Sequence, residues 1–267
     1  MSFSLSKQTS LALADMAAGV RHAQLWGYLA LQDIVGRYRR TILGPFWVAG
    51  TTLATGTALA IVYGGLFGMP VREAMPYILS GIVAWTYFTA LVIDGSSVFM
   101  AAAGSMKTVS LPVTWHIWRH AAVSTIVMAH NLVGLFVILF LILGGIYVNW
   151  TFIPGIILFS AACISWSLPL ALIASRYRDV AYLIGYVGQV AFFLTPIFWK
   201  PENLQGGRAA IVDYNPMFYL INIVRQPLLG MMPTPTDWLW AIGIVLSGLL
   251  VGFAGLVFFR RRVVYWV

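Results

Sequence analysis

Six long apolar segments, none of which contains a lysine or an arginine, divide this sequence. They are residues 45–67, 76–99, 121–148, 152–175, 181–199 and 238–259. A helix needs roughly 20 apolar residues to cross a hydrocarbon layer about 30 Å thick. No water reaches that layer, so the backbone must satisfy its own hydrogen bonds, and a helix does so within one segment. The sequence therefore predicts an all-α, polytopic membrane protein with six transmembrane helices.

Charged residues are too few to cover a surface that faces water. Only 9% of the 267 residues are charged, whereas a soluble domain carries charge on about a quarter of its residues. The single cysteine, Cys163, excludes an intramolecular disulfide, and with four scattered histidines it predicts no metal site. The apolar stretch at residues 11–18 is short and contains Asp15, so we expect no signal peptide.

The positively charged residues are divided unevenly between the two sides of the predicted membrane. With a cytoplasmic N-terminus, four lie on the outer side: Arg72, Lys200, Arg208 and Arg225. The twelve on the inner side are Lys7, Arg21, Arg37, Arg39, Arg40, Lys107, Arg119, Arg176, Arg178, Arg260, Arg261 and Arg262. Since cytoplasmic loops carry an excess of Lys and Arg, both termini are predicted to be cytoplasmic. The net charge of +8 then reflects topology, and we expect no nucleic-acid partner.

The N-terminal region, residues 1–44, is predicted to be cytoplasmic and to carry an amphipathic helix. Apolar side chains recur there at helical spacing: Leu25, Tyr28, Leu29, Leu31, Ile34, Val35 and Tyr38. Polar residues take the other side, where Asp33 and Arg37 have the spacing of a favourable i,i+4 ion pair. Such a helix lies in the membrane interface. It is either a simple anchor or a platform for a cytoplasmic partner.

The remaining domain, residues 45–267, holds the six spans and an unusual external segment at residues 200–237. Residues 217–229 are too apolar for a free loop, yet about 13 helical residues reach only about 20 Å. Five prolines interrupt the segment further: Pro201, Pro216, Pro227, Pro233 and Pro235. We predict one or two short re-entrant helices, which are tolerated only against protein or a water-filled cavity. The alternative is a plain structural cap.

Two short segments on the predicted cytoplasmic side concentrate charged and aromatic residues. One is a loop at residues 107–119, which contains Leu111 and Pro112, and the other is Ser-Arg-Tyr-Arg-Asp-Val at residues 175–180. Charge placed between two spans sets topology, which is the simpler interpretation. A short, rigid loop also suits a lever that contacts a moving partner.

The sequence lacks the residues for several kinds of chemical site, and this narrows the range of functions that it can have. A phosphate-binding loop needs several glycines and a Lys-Ser/Thr pair at a helix start, and no lysine here follows a glycine. No acidic residue lies near a predicted span centre, where proton-coupled transporters place an ionisable group. His130, beside Asn131, is the one candidate, and we predict an interhelical hydrogen bond for it instead. No catalytic residue is predicted, so energy for transport would come from a separate ATPase.

Several motifs between residue 37 and the end resemble, in order, those of ABC-type polysaccharide export permeases. They are Arg-Tyr-Arg-Arg-Thr-Ile-Leu-Gly-Pro-Phe-Trp at 37–47, Arg-Tyr-Arg-Asp-Val at 176–180, Phe-Leu-Thr-Pro-Ile-Phe-Trp at 193–199, Asn-Pro at 215–216, Arg-Gln-Pro-Leu-Leu-Gly at 225–230 and Tyr-Trp at 265–266. Within the family, the sequence is most similar to the permeases that export lipopolysaccharide O-antigen. Capsule and teichoic-acid exporters are more distant.

This resemblance implies a homodimeric permease of the bacterial inner membrane that carries two cytoplasmic ABC-type ATPase subunits. ATP and Mg²⁺ would bind to those subunits, no cofactor would bind to this chain, and the cargo would be a lipid-linked glycan. The interface helix would include Asp33 and end at Arg37, Tyr38, Arg39 and Arg40. The residues that would meet the ATPase are Leu111, Pro112, Arg176, Tyr177, Arg178 and Asp179. Asn215, Pro216 and Arg225 would belong to an external gate.

A glycan channel needs surfaces that contact hydroxyls and flat C–H faces while successive sugars slide. Aromatic rings provide such non-directional contact, and the candidates are Trp85, Tyr87, Phe88, Phe192 and Phe193. Mid-membrane depth favours Trp85, because interfacial tryptophans lie at span ends. The alternative for each ring is helix–helix packing.

Other functions stay open at the level of sequence. An ABC-type permease for capsule, teichoic acid, lipid, haem or a drug would share the topology, although the aromatic candidates and the external segment count against a drug, a lipid or haem. A membrane-embedded glycan-processing enzyme would need acidic residues or a large soluble loop. A passive channel would need no energy source.

Overall fold

Helices form nearly all of the structure. The computed structural model describes residues 5–203 and 210–267, and these two ranges contain no β-strand. The helices are α1 (Leu5–Arg21), α2 (Ala23–Arg37), α3 (Phe46–Leu66), α4 (Val71–Phe88), α5 (Val98–Ala101), α6 (Ala103–Thr108), α7 (Val113–Leu143), α8 (Phe152–Arg176), α9 (Asp179–Leu194), α10 (Ala210–Asp213), α11 (Pro216–Leu228), α12 (Pro235–Phe259) and α13 (Val263–Trp266). The predicted all-α class is confirmed.

Five helical stretches in the described residues are long and apolar enough to cross a membrane. They are α3, the stretch Val71–Ala101 that includes α4 and α5, and then α7, α8 and α12. Helix α12 begins three residues before its predicted start at residue 238. The reason is a capping box, in which the Thr234 hydroxyl accepts the Asp237 N–H and the Asp237 carboxylate accepts the Thr234 N–H.

The predicted fifth span, residues 181–199, is a shorter helix than the others. Helix α9 has 16 residues, which corresponds to about 24 Å at 1.5 Å per residue. It ends because Pro196 disfavours helical backbone at the preceding residue, and Thr195 is extended with ψ of 134°. Beyond it, the Tyr77 hydroxyl of α4 donates to the backbone oxygens of Pro196 and Trp199 at 3.2 and 3.3 Å.

The second long stretch changes its hydrogen-bond pattern midway. A π-helical turn at Thr89–Ile93 and a short 3₁₀ turn separate α4 from α5. Two oxygens in the π turn meet side chains of neighbouring helices. His120 Nε2 lies 2.7 Å from the Ala90 oxygen, and the Ser167 hydroxyl donates to the Leu91 oxygen. Such insertions into the backbone pattern are an ordinary cause of helix irregularity, and here they hold the turn between α7 and α8.

Helix α7 begins at Val113, eight residues before the predicted third span, so the loop predicted at residues 107–119 is wrong in its bounds. Helix α6 occupies part of that loop and leaves residues 109–112 between two helices. The cause is the carboxylate of Asp15, whose two oxygens accept the backbone N–H groups of Val113 and Thr114 at 3.0 Å each. A helix start leaves these N–H groups without partners in its own backbone.

The C-terminal end of α7 and the hydrogen bond of its histidine, His130, also differ from the predictions. The helix stops at Leu143 rather than at residue 148, because Gly144 takes a φ of 77° and closes it. His130 Nδ1 lies 2.7 Å from the Ile126 oxygen of the same helix, and its ring meets Phe46 of α3 edge-on at 4.9 Å. The predicted interhelical hydrogen bond of His130 is therefore wrong.

Helices α8 and α12 pack along a line of glycines. A Cβ atom at Gly248 would lie 2.3 Å from the Ser165 hydroxyl oxygen, and one at Gly255 would lie 2.8 Å from a methyl group of Leu172. Gly252 also faces α8. The spacing of Gly248 and Gly252 therefore allows close helix contact within one chain.

The bundle has two ends, which we call the terminal face and the distal face. The terminal face carries α1 and the C-terminal segment, and there Arg260 Nε lies 2.6 Å from a carboxylate oxygen of Asp15. At the distal face, Arg72 Nη2 donates to the Leu143 oxygen at 3.2 Å. Helix α11 lies at that face too, since the Asn149 N–H donates to the Pro227 oxygen at 2.9 Å.

Substituting Gly248→Ala tests the packing of α8 against α12. The added methyl group forces the Ser165 side chain to move, so we expect a loss of about 1–3 kcal/mol in the free energy of unfolding. Thermal unfolding of the purified protein in detergent measures it. Gly243→Ala on the same helix is the control, because nothing lies within 4 Å of its added Cβ. Equal losses in both variants would contradict the packing role of Gly248.

Candidate functional sites at the two faces

The predicted interface helix is α2, and it ends at the predicted basic residues. Arg37 is its last residue, and the N–H of Tyr38 donates to the Ile34 oxygen at 3.1 Å. Arg39 follows, and Arg40 has a φ of 70°. The apolar side chains that stay exposed on α2 are Leu25, Tyr28, Leu31 and Val35. The described residues thus leave an apolar surface uncovered, which suits a membrane interface.

Asp33 joins α2 to α7. Its carboxylate accepts Arg119 Nε at 2.9 Å and Nη2 at 2.6 Å, in half-buried surroundings. The ion pair expected with Arg37 is therefore wrong, because two parallel hydrogen bonds to a guanidinium match a carboxylate better than a single contact. The spacing of residues could not reveal this partner, which lies 86 positions further on.

The residues predicted to meet an ATPase lie in two turns of the terminal face. Leu111 and Pro112 form the turn before α7, where the Leu111 N–H donates to the Val109 oxygen at 3.1 Å. Arg176 ends α8, and Asp179 begins α9. These are short connections between helices, as a lever requires.

Between α8 and α9, the side chains of the second turn point to the surface. Tyr177 and Arg178 are exposed. The Arg176 guanidinium lies 5.7 Å from the Tyr177 ring and 5.3 Å from the Trp266 ring of the C-terminal segment. These distances are within the range of cation–π attraction.

Four of the five candidate channel rings come together. Trp85 lies 5.0 Å from Phe88 and 5.5 Å from Phe192, and Phe192 lies 5.4 Å from Phe193. Phe198 extends this aromatic cluster, at 5.6 Å from Phe192. Offset and edge-on ring pairs at these distances attract each other.

Two members of this cluster, Phe198 and Tyr63, were not predicted from the sequence. Phe198 lies in the motif at residues 193–199, and its ring is 4.4 Å from Tyr63 of α3. Phe198 could have been selected from its motif, whereas nothing around Tyr63 in the sequence marks it.

Tyr87 lies apart from the aromatic cluster. Its hydroxyl is 2.8 Å from the Thr125 hydroxyl and 3.1 Å from the Ser160 hydroxyl, and its ring stacks on Phe159 at 5.9 Å. Residues two apart in a helix are about 200° apart around its axis, so Trp85 and Tyr87 face different neighbours. For Tyr87, the packing alternative agrees with these contacts.

At the distal face, Asn215 anchors the start of α11. Its side-chain oxygen accepts the Met217 N–H at 3.0 Å, and its amide nitrogen donates to the Leu194 oxygen at 3.2 Å and to the Thr195 hydroxyl at 3.1 Å. Pro216 takes the first helical position, where its missing N–H costs nothing. Asn215 thereby ties α11 to the end of α9. The predicted external segment also includes residues 204–209, which lie outside the described ranges.

Arg225 is 2% exposed and lies at the centre of the distal contacts. Its Nη1 donates to the Pro196 oxygen at 2.8 Å, and its guanidinium carbon lies 4.1 Å from the centre of the Tyr77 ring. Within the described residues, its Nε and Nη2 have no partner. We call Tyr77, Pro196 and Arg225 the distal latch, because they join α4, α11 and the turn after α9. No motif or pattern in the sequence predicts the role of Tyr77.

A cavity of about 510 Å³ borders the distal latch. Its lining includes Arg72, Glu73, Tyr77, Lys200, Phe218 and Gln226. Lys200 Nζ lies 3.4 Å from a Glu73 carboxylate oxygen, a weak contact at an exposed site. In the described ranges no three His, Cys, Asp or Glu side chains group closely enough to hold a metal ion.

The fold and these contacts define a polytopic, all-helical membrane protein with short connections at one face and a folded segment at the other. Residues 24–229 match the family of ABC-2 type transporters, and the chain belongs to that family. Membership implies a membrane setting, a role as a transport subunit and partnership with an ABC-type ATPase.

Two relatives extend this result. One O-antigen export system permease protein RfbA of Klebsiella pneumoniae is 22% identical over 202 residues, which are 71% of this chain and 74% of the relative. Another protein of that name and organism is 20% identical over 242 residues, which are 86% of this chain and 88% of the relative. The resemblance to export permeases is confirmed at the level of the family.

Substituting Tyr77→Phe tests the distal latch. The change removes the hydroxyl that donates to the Pro196 and Trp199 oxygens but keeps the ring beside Arg225. Losing this shared hydrogen bond, worth about 1 kcal/mol, should raise amide hydrogen exchange at residues 195–203 several-fold. Tyr182→Phe on α9 is the control, because its ring is exposed. Unchanged exchange in Tyr77→Phe would contradict the latch.

Proposed function

We propose that this chain is the permease subunit of an ATP-driven exporter that moves a lipid-linked, O-antigen-like polysaccharide across the bacterial inner membrane. Two copies form the channel, and two cytoplasmic ATPase subunits bind ATP and Mg²⁺. The observation that carries the proposal is the similarity, over 86% of the chain, to a protein named as an O-antigen export permease.

In this proposal, the chain crosses the membrane six times. The crossing in addition to the five long stretches is the fifth in chain order, α9 together with residues 195–199, since α9 starts beside the terminal turn at Arg176 and the residues after it contact Tyr77 at the distal face. A 16-residue helix spans about 24 Å, and the turn that follows adds the remaining depth. The terminal face is cytoplasmic, which agrees with the excess of arginine there.

The channel runs along the aromatic cluster and α9. Exposed rings follow one another on α9 at Tyr182, Tyr186 and Phe193, and this helix has little contact with its own chain, with Gly188 as its one buried residue. A second copy facing α9 would enclose a passage lined by rings. Such a surface suits a polymer of sugars, which offers flat C–H faces and no fixed charge to grip.

ATP-driven closure of the two ATPase subunits pushes on the turn at residues 109–112 and on the turn between α8 and α9. Helices α7 and α8 tilt in response and open the channel, while the distal latch and α11 act as its outer gate. Asn215 and Arg225 support this role, because both bind the residues that follow α9.

Reconstitution of the chain with its ATPase in lipid vesicles tests the proposal. Lipid-linked polysaccharide should cross the bilayer only when ATP is present. Teichoic-acid and capsule precursors, a lipid and a drug form the other arms of the experiment. Transport of one of these in place of the polysaccharide would assign the chain to a different substrate, and transport without ATP would indicate a passive channel.

Charge reversal at the terminal turn tests the contact with the ATPase. Arg176→Glu and Arg178→Glu should each lower export and the amount of co-purified ATPase about tenfold or more, because like charges facing across an interface cost several kcal/mol. Arg21→Glu, an exposed charge at the end of α1, is the control. Full export in both reversed variants would remove this turn from the interface.

Substituting Phe193, an exposed ring of the aromatic cluster, tests whether the cluster lines the channel. Phe193→Ala should slow export several-fold with normal assembly, because the side chain is 57% exposed and little packing is lost. Phe258→Ala on α12 is a matched control at 58% exposure. Rates of export from vesicles measure both. Equal rates in the two variants would exclude Phe193 from the channel.

A further inference from the structure

Asp15 is the most completely bonded carboxylate of the terminal face. It is 2% exposed, and its oxygens accept the N–H groups of Val113 and Thr114 and the Thr114 hydroxyl at 2.9–3.0 Å. The same hydroxyl is 2.9 Å from the Asp15 backbone oxygen, so its one proton is shared between these two acceptors. A carboxylate at a helix start stabilises the helix through these N–H groups and the helix dipole. The start of α7 therefore depends on α1.

The same carboxylate also binds the end of the last long helix. Arg260, the residue after α12, donates its Nε to Asp15 Oδ2 at 2.6 Å. Removing one partner of a buried charge pair strongly destabilises the folded protein, because the other charge is left without compensation. One carboxylate thus holds α1, α7 and α12 together beside the turn that contains Leu111 and Pro112.

The C-terminal segment continues from this contact to the second turn. Val263 of α13 is fully buried, in an apolar cluster that also contains Ala12, Met106 and Val113. Three residues later, the Trp266 ring lies 5.3 Å from the Arg176 guanidinium. Residues 260–267 therefore reach both turns that are predicted to meet an ATPase, one through Arg260 and the other through Trp266.

We propose that Asp15, Arg260 and Trp266 form a clamp that makes the two ATPase-facing turns move as one unit. We call these three residues the terminal clamp. They are positioning residues for the coupling of ATP hydrolysis to transport, and this inference rests on the proposed function. The turn before α7 and the turn after α8 are also joined beneath the clamp by the apolar cluster, which contains Val113 of α7 and Leu172 of α8.

The terminal clamp is needed because one of the two turns leads into a lightly packed helix. Helix α9 has one buried residue, so the turn is held mainly on the side of α8, where the Tyr177 N–H donates to the Ile173 oxygen at 2.9 Å. Trp266 and the apolar contacts of Val263 connect Arg176 to the cluster beneath α7. A push on either turn then acts on α7, α8 and α12 together, since tightly packed elements transmit displacement as rigid bodies.

A distance measurement tests the terminal clamp without reference to transport. Spin labels at the exposed positions Val109 and Tyr177 report the separation of the two turns in the full chain in nanodiscs. Labelled chains are diluted with an excess of unlabelled chains to suppress distances between copies. We expect a narrow distribution in the parent chain and a distribution at least about twofold broader in Asp15→Asn and in Trp266→Leu. Equally narrow distributions in all of them would overturn the inference.

A control variant separates the terminal clamp from general loss of stability. Asp237 caps α12 at the distal face, where its carboxylate accepts the Thr234 N–H at 2.7 Å and is 3.2 Å from the Asn222 amide nitrogen. Asp237→Asn removes a comparable buried charge far from the two turns. It should lower the melting temperature, as Asp15→Asn does, and leave the distance distribution unchanged. Equal broadening in both variants would show that Asp15 contributes only to stability and does not join the two turns.

The coupling itself is measured on the complex with its ATPase in vesicles. Asp15→Asn and Trp266→Leu should lower the amount of substrate exported per ATP hydrolysed about tenfold, with normal assembly and normal basal hydrolysis. Arg260→Lys keeps the charge and should retain more coupling than Arg260→Gln. An unchanged ratio in the first two variants would overturn the inference. If the parent complex exports nothing, the proposed function fails, and the distance measurement still decides whether the two turns move together.

Discussion

Two breaks in the described helices, the π turn and the end of α9, depend on hydrogen-bond partners supplied by other helices. Water is excluded from the interior of a bilayer, so backbone groups that leave the α-helical pattern must be satisfied within the protein. The π turn of the second long stretch meets this constraint through His120 and Ser167. The end of α9 meets it through Tyr77 and Arg225, which bind the oxygen of Pro196. The irregular points of the backbone are therefore also the points at which helices are fastened to each other.

The same constraint organises the two faces of the bundle. At the terminal face, Asp15 of α1 caps α7, which begins 98 positions further along the chain. At the distal face, Asn215 caps α11 and also binds the end of α9. Asp237 caps its own helix, α12, and also accepts the Asn222 amide of α11 at 3.2 Å. Each of these three caps therefore connects two elements, and Asp15 and Asn215 lie in regions to which we assign a role in transport.

Features that depend on neighbouring residues could be predicted from the sequence, whereas features that depend on distant residues could not. Hydropathy and Pro positions depend on adjacent residues, so the bounds of α3 and α8 and the end of α2 at Arg37 were predicted closely. The start of α7 was missed because its cause, Asp15, is 98 positions away. The pairing of Asp33 with Arg119 and the position of Tyr77 beside Arg225 were missed for the same reason. The motif at residues 225–230 identified Arg225 as a candidate, but no pattern in the sequence shows that its guanidinium is buried.

The two faces differ in how completely their buried charges are paired. Asp15 has hydrogen-bond donors at both oxygens and a cation at 2.6 Å. Arg225 has a single hydrogen bond to a neutral oxygen, and its Nε and Nη2 have no partner in the described part of the chain. Separating a fully paired carboxylate from its partners leaves a buried charge uncompensated, whereas movement of α11 would let unpaired N–H groups of Arg225 reach water. In the proposed mechanism, moving α11 therefore costs less free energy than separating the partners of Asp15, as an outer gate and a rigid lever require.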